Sequence, residues 1–278
     1  MKDYTKLRIG EKKIFWKNNP VNGEIEILID GIKSFKMYSE NDDTVVKELY
    51  WTGFKGWELT SLLLWNSLVN KLSSGLVYDI GTYSGIYTLI AANNAKNNEI
   101  HAFDIQNKCI DRVKKNCLIN EFNNIFVKQA ACTDFSGKTS FYFYEEEGIM
   151  TSIAGLLPNK VNNLKMDVDA IKLDDYNNNE KVELIKIDVE GAEISTLRGL
   201  KNTLTNFSPD VLIEINNKAD IKNVKKMFPR GYNIYDIDET ELQLKQIKLF
   251  TKLSRHRNYL FTKKSKKTLK SLFSGRVI

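Results

Sequence analysis

Residues 76–85, LVYDIGTYSG, restrict the possible folds of the chain more than any other stretch. The apolar start predicts a short buried strand, and the apolar-rich run after Gly85 predicts a helix. Gly81 and Gly85 bracket the turn between them, where glycine permits positive φ and close approach of a ligand. Asp79 closes the strand at its carboxyl end, where ligands bind in open α/β sheets. A nucleotide-type site and a tight turn without a ligand both fit this stretch.

A second strand favours the nucleotide-type site. Residues 100–103 are apolar and end in Asp104, 19 positions after Gly85. An acidic residue at the end of the second strand is where a ribose hydroxyl pair is held. Small residues at the end of the third predicted strand, including Ala130, would let backbone groups reach an adenine edge. Tyr83 occupies the place of the middle glycine of G-x-G-x-x-G, which argues against a dinucleotide fingerprint.

Strands and helices alternate from residue 75 onward, which predicts right-handed βαβ units on a doubly wound, mostly parallel sheet. We predict strands at 76–79, 99–104, 124–129, 182–188, 210–215, 232–237 and 259–262. Residues 1–55 predict a small β-meander, because strand-like runs alternate there with Asn-Gly and Asp-Gly dipeptides. The predicted divisions are therefore 1–55 as an N-terminal extension, 56–265 as the main domain and 266–278 as a basic tail.

Four motifs resemble the FkbM family of S-adenosylmethionine-dependent methyltransferases. They read DIGTYSGIYTL, AFDIQNKCIDRVKKNCLIN, LIKIDVEGAEISTLRG and PDVLIEI, and they lie within about residues 58–216. The chain departs from the family at Thr82 and Tyr83, which replace Ala and Asn, and at Asp104-Ile105, which replaces Glu-Pro.

The resemblance implies a Rossmann-like sheet of seven strands with a terminal antiparallel strand, and S-adenosylmethionine as cofactor. It also implies that a loop at about 145–165 lies near the acceptor. The cofactor-binding residues that we infer from the motifs and the resemblance are Glu58, Asp79, Gly81, Thr82, Tyr83, Gly85, Asp104, Ile105, Ala130 and Asp188.

Candidate catalytic carboxylates follow two buried strands. Alternation would place Asp188 and Glu190 on one side if the strand continued, where they could take a proton or hold a divalent cation such as Mg²⁺. They could equally be acids that stabilise a helix N-terminus. Glu214 is flanked by isoleucines on a buried strand, which is unusual for a carboxylate unless it is paired. His256 is a candidate general base. No metal ligand is assigned.

The charge is unevenly distributed. Residues 245–278 contain 11 Lys and Arg and no Asp or Glu, and the preceding part has 30 basic against 35 acidic residues. This basic stretch is either simply solvated or binds an anionic partner, such as membrane lipid, a phosphorylated lipid carrier or nucleic acid. The N-terminus lacks an apolar signal core, so we expect a cytoplasmic protein. Binding of the basic stretch to lipid would place it at the periphery of a membrane.

The leading hypothesis is an O-methyltransferase that modifies a sugar hydroxyl of a surface glycan or glycolipid, or a small metabolite. A nucleic-acid methyltransferase of the same fold is the main rival, although the acidic main body makes nucleic acid an unfavourable partner. Two further hypotheses are a nicotinamide-dependent oxidoreductase and a non-catalytic relative whose pocket is blocked by Tyr83.

Overall fold

The computed structural model describes residues 4–144, 150, 154–155, 164–176, 178–218 and 220–278. After a 3-10 turn at Tyr4–Lys6, the N-terminal part consists of helix α1 (Ile9–Asn18), strands β1 (Asn22–Ile27) and β2 (Phe35–Glu40), and helix α2 (Thr44–Trp51). The predicted three-strand meander is wrong, because the first strand-like run, KKIFW, is part of helix α1. Only β1 and β2 remain, and they pair as an antiparallel hairpin. Asp30-Gly31 makes the predicted turn, with Gly31 at φ +83°.

The middle of the chain alternates between helices and strands as predicted. Its elements are α3 (Leu59–Val69), β3 (Leu76–Ile80), α4 (Ile86–Asn94), β4 (Ile100–Asp104), α5 (Asn107–Ile119) and β5 (Ile125–Gln129). A small side sheet follows, with strands β6 (Ala131–Thr133), β7 (Gly137–Phe143), β8 (Ala154–Gly155) and β9 (Leu164–Lys172). The predicted acceptor loop, 145–165, falls largely outside the described residues.

The C-terminal half completes the main sheet. Its elements are α6 (Leu173–Tyr176), β10 (Val182–Ile187), α7 (Glu193–Gly199), α8 (Lys201–Asn206), β11 (Asp210–Glu214), α9 (Ile221–Met227), β12 (Asn233–Asp238), β13 (Gln243–Ile247), β14 (Asn258–Thr262), α10 (Lys266–Leu272) and β15 (Arg276–Val277). The residues predicted as a basic tail thus form a helix and an edge strand. Leu269, Phe273 and Val277 are buried in the same core cluster as the N-terminal hairpin.

The main sheet has the order β15-β13-β12-β14-β11-β10-β3-β4-β5. Strands β11, β10, β3, β4 and β5 pair in parallel, and β14 is inserted antiparallel between β11 and β12. The doubly wound prediction with an antiparallel strand is confirmed. The strand count is corrected from seven to nine in the described part of the chain, because β13 and β15 extend one edge.

The site lies where the strand order reverses. From β3 the chain proceeds to β4 on one side and later returns to β10 on the other, which leaves a crevice at the carboxyl ends of these strands. Both faces of the sheet are buried: Val77 and Leu184 belong to one core cluster, Tyr78 and Ile185 to the other. Alternation therefore places Lys186 on the face of Leu184, towards α3 and α4. Among the described residues, every helix is too short or too polar to cross a bilayer.

Candidate active site

The turn after β3 is held by a buried carboxylate. Asp79 Oδ2 accepts hydrogen bonds from Thr88 N (3.0 Å), Thr88 Oγ1 (2.6 Å) and Thr82 Oγ1 (2.8 Å). Burial raises the pKa of Asp79 although these donors act in the opposite direction. Asp79 does not belong to the cavity lining. It ties the turn to α4, and it is therefore placed to order the site from behind.

Gly81 is where the turn meets the next strand of the sheet. Its φ is +80°, and a Cβ built on it would lie 1.7 Å from the carbonyl oxygen of Asp188. A backbone hydrogen bond joins the same two segments, since Asp188 N donates to Ile80 O at 2.8 Å. Glycine is required here for both conformation and space. Gly85 begins α4 with φ +90° and packs against Val113 rather than facing the cavity.

A cavity of 440 Å³ opens at the carboxyl ends of β3, β4, β10 and β11. We call its β4 side, formed by Gly81, Tyr83, Asp104, Ile105 and Ala130, the turn side. Its β10 side, formed by Glu58, Lys186, Asp188, Glu190 and Glu214, is the acidic side. Thr82 also lines the cavity. The structure thus brings together all the predicted site residues except Asp79, Gly85 and His256.

Asp104 is the one carboxylate of the turn side. Its Oδ2 accepts from Tyr83 N at 3.0 Å, and its Oδ1 accepts from Gln106 N at 2.9 Å. Burial raises the pKa of Asp104 to about 6, although the two N–H donors lower it. Because each carboxylate oxygen has two lone pairs, both oxygens retain the capacity to accept from a ligand hydroxyl.

Tyr83 forms part of the cavity wall and leaves the cavity open. Its backbone is left-handed, with φ +52°. Its hydroxyl donates to Met150 O at 3.0 Å and accepts from Thr44 N at 3.4 Å, which directs the ring towards the start of α2. The ring is therefore anchored to the N-terminal part of the chain.

The acidic side is arranged around one buried ammonium. Lys186 is 1% exposed, with Nζ 3.3 Å from Asp188 Oδ2 and 5.1 Å from the centre of the Tyr87 ring. Burial alone would lower the pKa of Lys186, but the carboxylates of Asp188, Glu58 and Glu214 raise it above its usual value. The lysine therefore stays charged and supplies the positive charge that this cluster needs.

Glu58 joins the start of α3 to this cluster. Its backbone is left-handed, with φ +39°. Its Oε2 accepts from Tyr87 OH at 2.7 Å, and its Oε1 accepts from Asn258 Nδ2 at 2.9 Å. These bonds hold the Glu58 carboxylate on the acidic side of the cavity, where its charge acts on Lys186.

The pKa values of Glu190 and Glu214 are both raised. Burial, followed by the charges of Asp188 and Glu193, raises the pKa of Glu190 to about 7. Burial and the charge of Asp188 also raise the pKa of Glu214 well above its ordinary value. β10 ends at Ile187, so the predicted strand alternation does not apply to Glu190, which sits in a turn with φ +49°. Asn216 Nδ2 donates to Glu190 Oε2 at 3.2 Å and orients it.

The structure does not bring His256 to the cavity. Its Nε2 lies 3.5 Å from Asp238 Oδ1 and 3.3 Å from Thr240 Oγ1, beside the turn between β12 and β13. This arrangement contradicts its predicted role as a general base at the site. The reason is topological: residues just before β14 reach the correct end of the sheet, but this side chain points to the neighbouring turn.

Part of the wall comes from segments without a predicted role. The N-terminal part and the residues before α3 contribute Ile9, Lys13, Trp16, Thr44, Val45 and Trp57. These residues lie outside the family-like motifs, and no spacing pattern in the sequence marks them. Among the described residues, no group of three or more His, Cys, Asp or Glu side chains is arranged to hold a metal ion.

The doubly wound sheet with its inserted antiparallel strand, and the cavity at its switch point, define a Rossmann-like fold of the methyltransferase type. The sequence profile of the Methyltransferase FkbM domain matches residues 79–258. The chain therefore belongs to the FkbM methyltransferase family. No curated protein sequence matches it.

Three solved structures illustrate its structural likenesses. Methyltransferase FkbM from Methylobacillus flagellatus KT is 15% identical with a TM-score of 0.45, over 71% of this chain and 47% of that one. A putative rRNA-methylase from Clostridium thermocellum is 10% identical with a TM-score of 0.43, over 70% and 90%. Precorrin-6y C5,15-methyltransferase from Geobacter metallireducens GS-15 is 13% identical with a TM-score of 0.40, over 73% and 86%. The chain thus spans about half the length of the first of these proteins.

Proposed function

We propose that the protein is an S-adenosylmethionine-dependent O-methyltransferase that acts on a hydroxyl of a sugar, in a surface glycan, a glycolipid or a small metabolite. The observation that carries this proposal is the division of one cavity into two sides. A single carboxylate, Asp104, stands beside apolar residues on one side, and a cluster of carboxylates around Lys186 stands on the other.

The cavity has the chemistry that this cofactor requires. Its volume of 440 Å³ falls in the range of small-molecule sites. Asp104 would accept hydrogen bonds from the two ribose hydroxyls, and Ile105 and Ala130 would contact the adenine. Gly81, Thr82 and Tyr83 would bind the methionine end. The carboxylates of the acidic side would stabilise a positively charged sulfur nearby, because opposite charges attract strongly in a partly buried site.

The acidic side can also supply a base. When bound, S-adenosylmethionine would supply a methyl carbon that an acceptor oxygen can attack in line, with the carbon–sulfur bond broken and S-adenosylhomocysteine as the leaving group. Glu190 is suited to take the hydroxyl proton, because a pKa of about 7 is near the operating pH. Burial and the charge of Asp188 favour the protonated form of Glu214, and in that form its hydroxyl can donate a hydrogen bond. Asp188, beside Lys186, can orient the acceptor as a hydrogen-bond acceptor.

A neutral, hydroxyl-rich acceptor suits this cavity better than a polyanion. Carboxylates accept hydrogen bonds from sugar hydroxyls and repel phosphates. The acidic side therefore favours a sugar hydroxyl over a nucleic-acid backbone. The nicotinamide hypothesis has no support from the chain's family.

Calorimetric titration tests the cofactor assignment. S-adenosylmethionine and S-adenosylhomocysteine should bind, NAD should not, and Asp104→Ala should weaken both adenosyl ligands. Asp111→Ala, an exposed acid on α5, is the matched control and should bind as the parent protein does. Absence of binding by either adenosyl ligand would overturn the proposal.

Transfer of a labelled methyl group tests the acceptor class. We expect label on neutral oligosaccharides or glycolipids and none on single-stranded RNA. If RNA alone were labelled, the proposed acceptor would be wrong and a nucleic acid would take its place. The assignment of S-adenosylmethionine as cofactor would not change.

A further inference from the structure

At one end of the C-terminal strands β12, β13 and β14, the surface carries an exposed group of cations. Arg230, Lys248, Lys263, Lys266 and Lys267 are all exposed, and we call them the basic edge. They come from three stretches: the turn before β12, the end of β13, and the segment from the end of β14 into α10. Their chain neighbours contact one another, so the group is a surface feature and not only a property of composition.

Several contacts bring these stretches together. A Cβ built on Gly231 would lie 4.0 Å from Lys263 Cε, and Lys263 Nζ is 5.8 Å from the centre of the Tyr232 ring. Asn233 links the remaining stretches, because its Nδ2 donates to Lys264 O at 3.1 Å and its Oδ1 accepts from Gln246 Nε2 at 3.2 Å. β12 pairs antiparallel with both β13 and β14, so Ile247 and Thr262 lie at the same end of the sheet.

Few carboxylates can neutralise this surface. Residues 245–278 contain no Asp or Glu. Asp210 is 7% exposed and bonds to Lys264 and Thr262, so its charge is already balanced beneath the surface. The positive charges of the basic edge therefore face solvent and favour an anionic partner.

Exposed apolar side chains accompany the cations. Leu249 follows Lys248 and is 80% exposed, and Ile278, whose carbonyl accepts from Gln246 N, is 47% exposed. Contacts to phosphates come from cations and polar groups, and single-stranded bases stack on aromatic rings, so an exposed leucine is not a typical feature of a single-strand binding surface. An exposed leucine next to Lys248, on a surface rich in lysine, instead matches the headgroup region of an anionic membrane. There the charges meet lipid phosphates and the apolar side chain inserts.

We propose that the basic edge docks the protein on an anionic membrane surface, with Leu249 inserted between the headgroups. This docking uses none of the cavity residues, so it stands or falls independently of the proposed methyl transfer. The interaction should weaken as salt concentration rises, because it is electrostatic and exposed to solvent.

Co-sedimentation with lipid vesicles tests this proposal. The full chain should bind vesicles of phosphatidylcholine and phosphatidylglycerol in equal parts, and not vesicles of phosphatidylcholine alone. The triple variant Lys248→Gln, Lys266→Gln, Lys267→Gln should bind on the order of a hundredfold more weakly, from about fivefold per charge. Leu249→Ser should bind about tenfold more weakly.

The matched control is Lys114→Gln with Leu118→Ser, an exposed pair on α5 beside the opposite edge of the sheet. It should bind vesicles as the parent protein does, and circular dichroism should show that all variants are folded. Equal losses in the control and the triple variant would overturn the proposal. So would absence of binding to the anionic vesicles, or binding to a single-stranded oligonucleotide with none to the vesicles.

Discussion

The turn side and the acidic side of the cavity are built on opposite principles. On the turn side, backbone N–H groups of Tyr83 and Gln106 hold the single carboxylate of Asp104, and the rest is glycine and apolar side chains. On the acidic side, four carboxylates share one buried lysine, and the pKa of Glu190 is raised to about 7 by burial and neighbouring charge. The turn side thus has a single carboxylate held by backbone N–H groups, an arrangement suited to the proposed binding of a ligand hydroxyl. The acidic side keeps groups in a titratable state, which is what proton transfer needs.

The contact between the two sides is the most sensitive point. Gly81→Ala should be the most damaging substitution, because its Cβ would collide with the Asp188 carbonyl and its φ is +80°. We expect a loss of about 4 kcal/mol or more in the free energy of unfolding, measured by urea denaturation. Gly10→Ala, with open space around its Cβ on α1, should instead be neutral or stabilise by about 0.5–1 kcal/mol. Similar losses in both variants would refute the close contact.

Glu190→Gln separates chemistry from binding. Methyl transfer should fall by about 10²–10⁴, the range for removal of a general base, while affinity for S-adenosylhomocysteine changes little. Glu180→Gln, at an exposed position, should leave both unchanged. Full activity of Glu190→Gln would assign the base to another residue of the acidic side.

The same variant has a pH signature in stability. The pKa of Glu190 is raised to about 7 in the folded protein, so the protonated side chain favours the folded state. This contribution to the free energy of unfolding is fully present below the unfolded pKa of Glu190 and is lost as pH rises through about 7. Glutamine mimics the protonated form at every pH. Glu190→Gln should therefore match the parent protein below the unfolded pKa of Glu190 and exceed it in alkaline buffer, by about 3 kcal/mol in the free energy of unfolding. An unchanged pH dependence would contradict the raised pKa.

Asp104→Asn should affect binding and spare the chemical step. Affinity for S-adenosylmethionine and S-adenosylhomocysteine should fall together by about 10- to 100-fold, since hydrogen bonds to a charged group are lost. In the parent protein both affinities should increase as pH rises through about 6, where Asp104 ionises. A calorimetric pH series measures this trend, and a flat series would remove Asp104 from the binding role.

Tyr83→Phe should have the smallest effect. It removes the hydroxyl bonds to Met150 O and Thr44 N but keeps the ring, so we expect a loss of about 1 kcal/mol in the free energy of unfolding. Tyr50→Phe, half-exposed on α2, is the control in thermal denaturation. Restored cofactor binding in a smaller Tyr83 variant, where the parent protein shows none, would mean that the ring blocks the pocket.

The residues that local pattern could identify are those whose role depends on strand ends. Asp104 follows from its place after an apolar strand, and Gly81 from its place in a strand–turn–helix unit. The family-like IKIDVEGAE segment indicated the acids near Asp188, although Glu190 reaches the cavity through a turn and not through strand alternation. His256 shows the limit of this reasoning. It lies just before β14, as predicted, but its side chain contacts Thr240 and not the cavity.

By itself, the sequence determined the alternation of strands and helices, the glycine turn and the carboxylates at the strand ends. These depend on apolar periodicity and backbone freedom, which are local properties. Only the tertiary structure decided that α1 and α2 wall the cavity, that C-terminal residues extend the sheet, and that Lys186 lies among Glu58, Asp188 and Glu214. The pKa of a carboxylate depends on burial and on charges brought close from distant parts of the chain, so that property of the site emerges only when the sheet assembles.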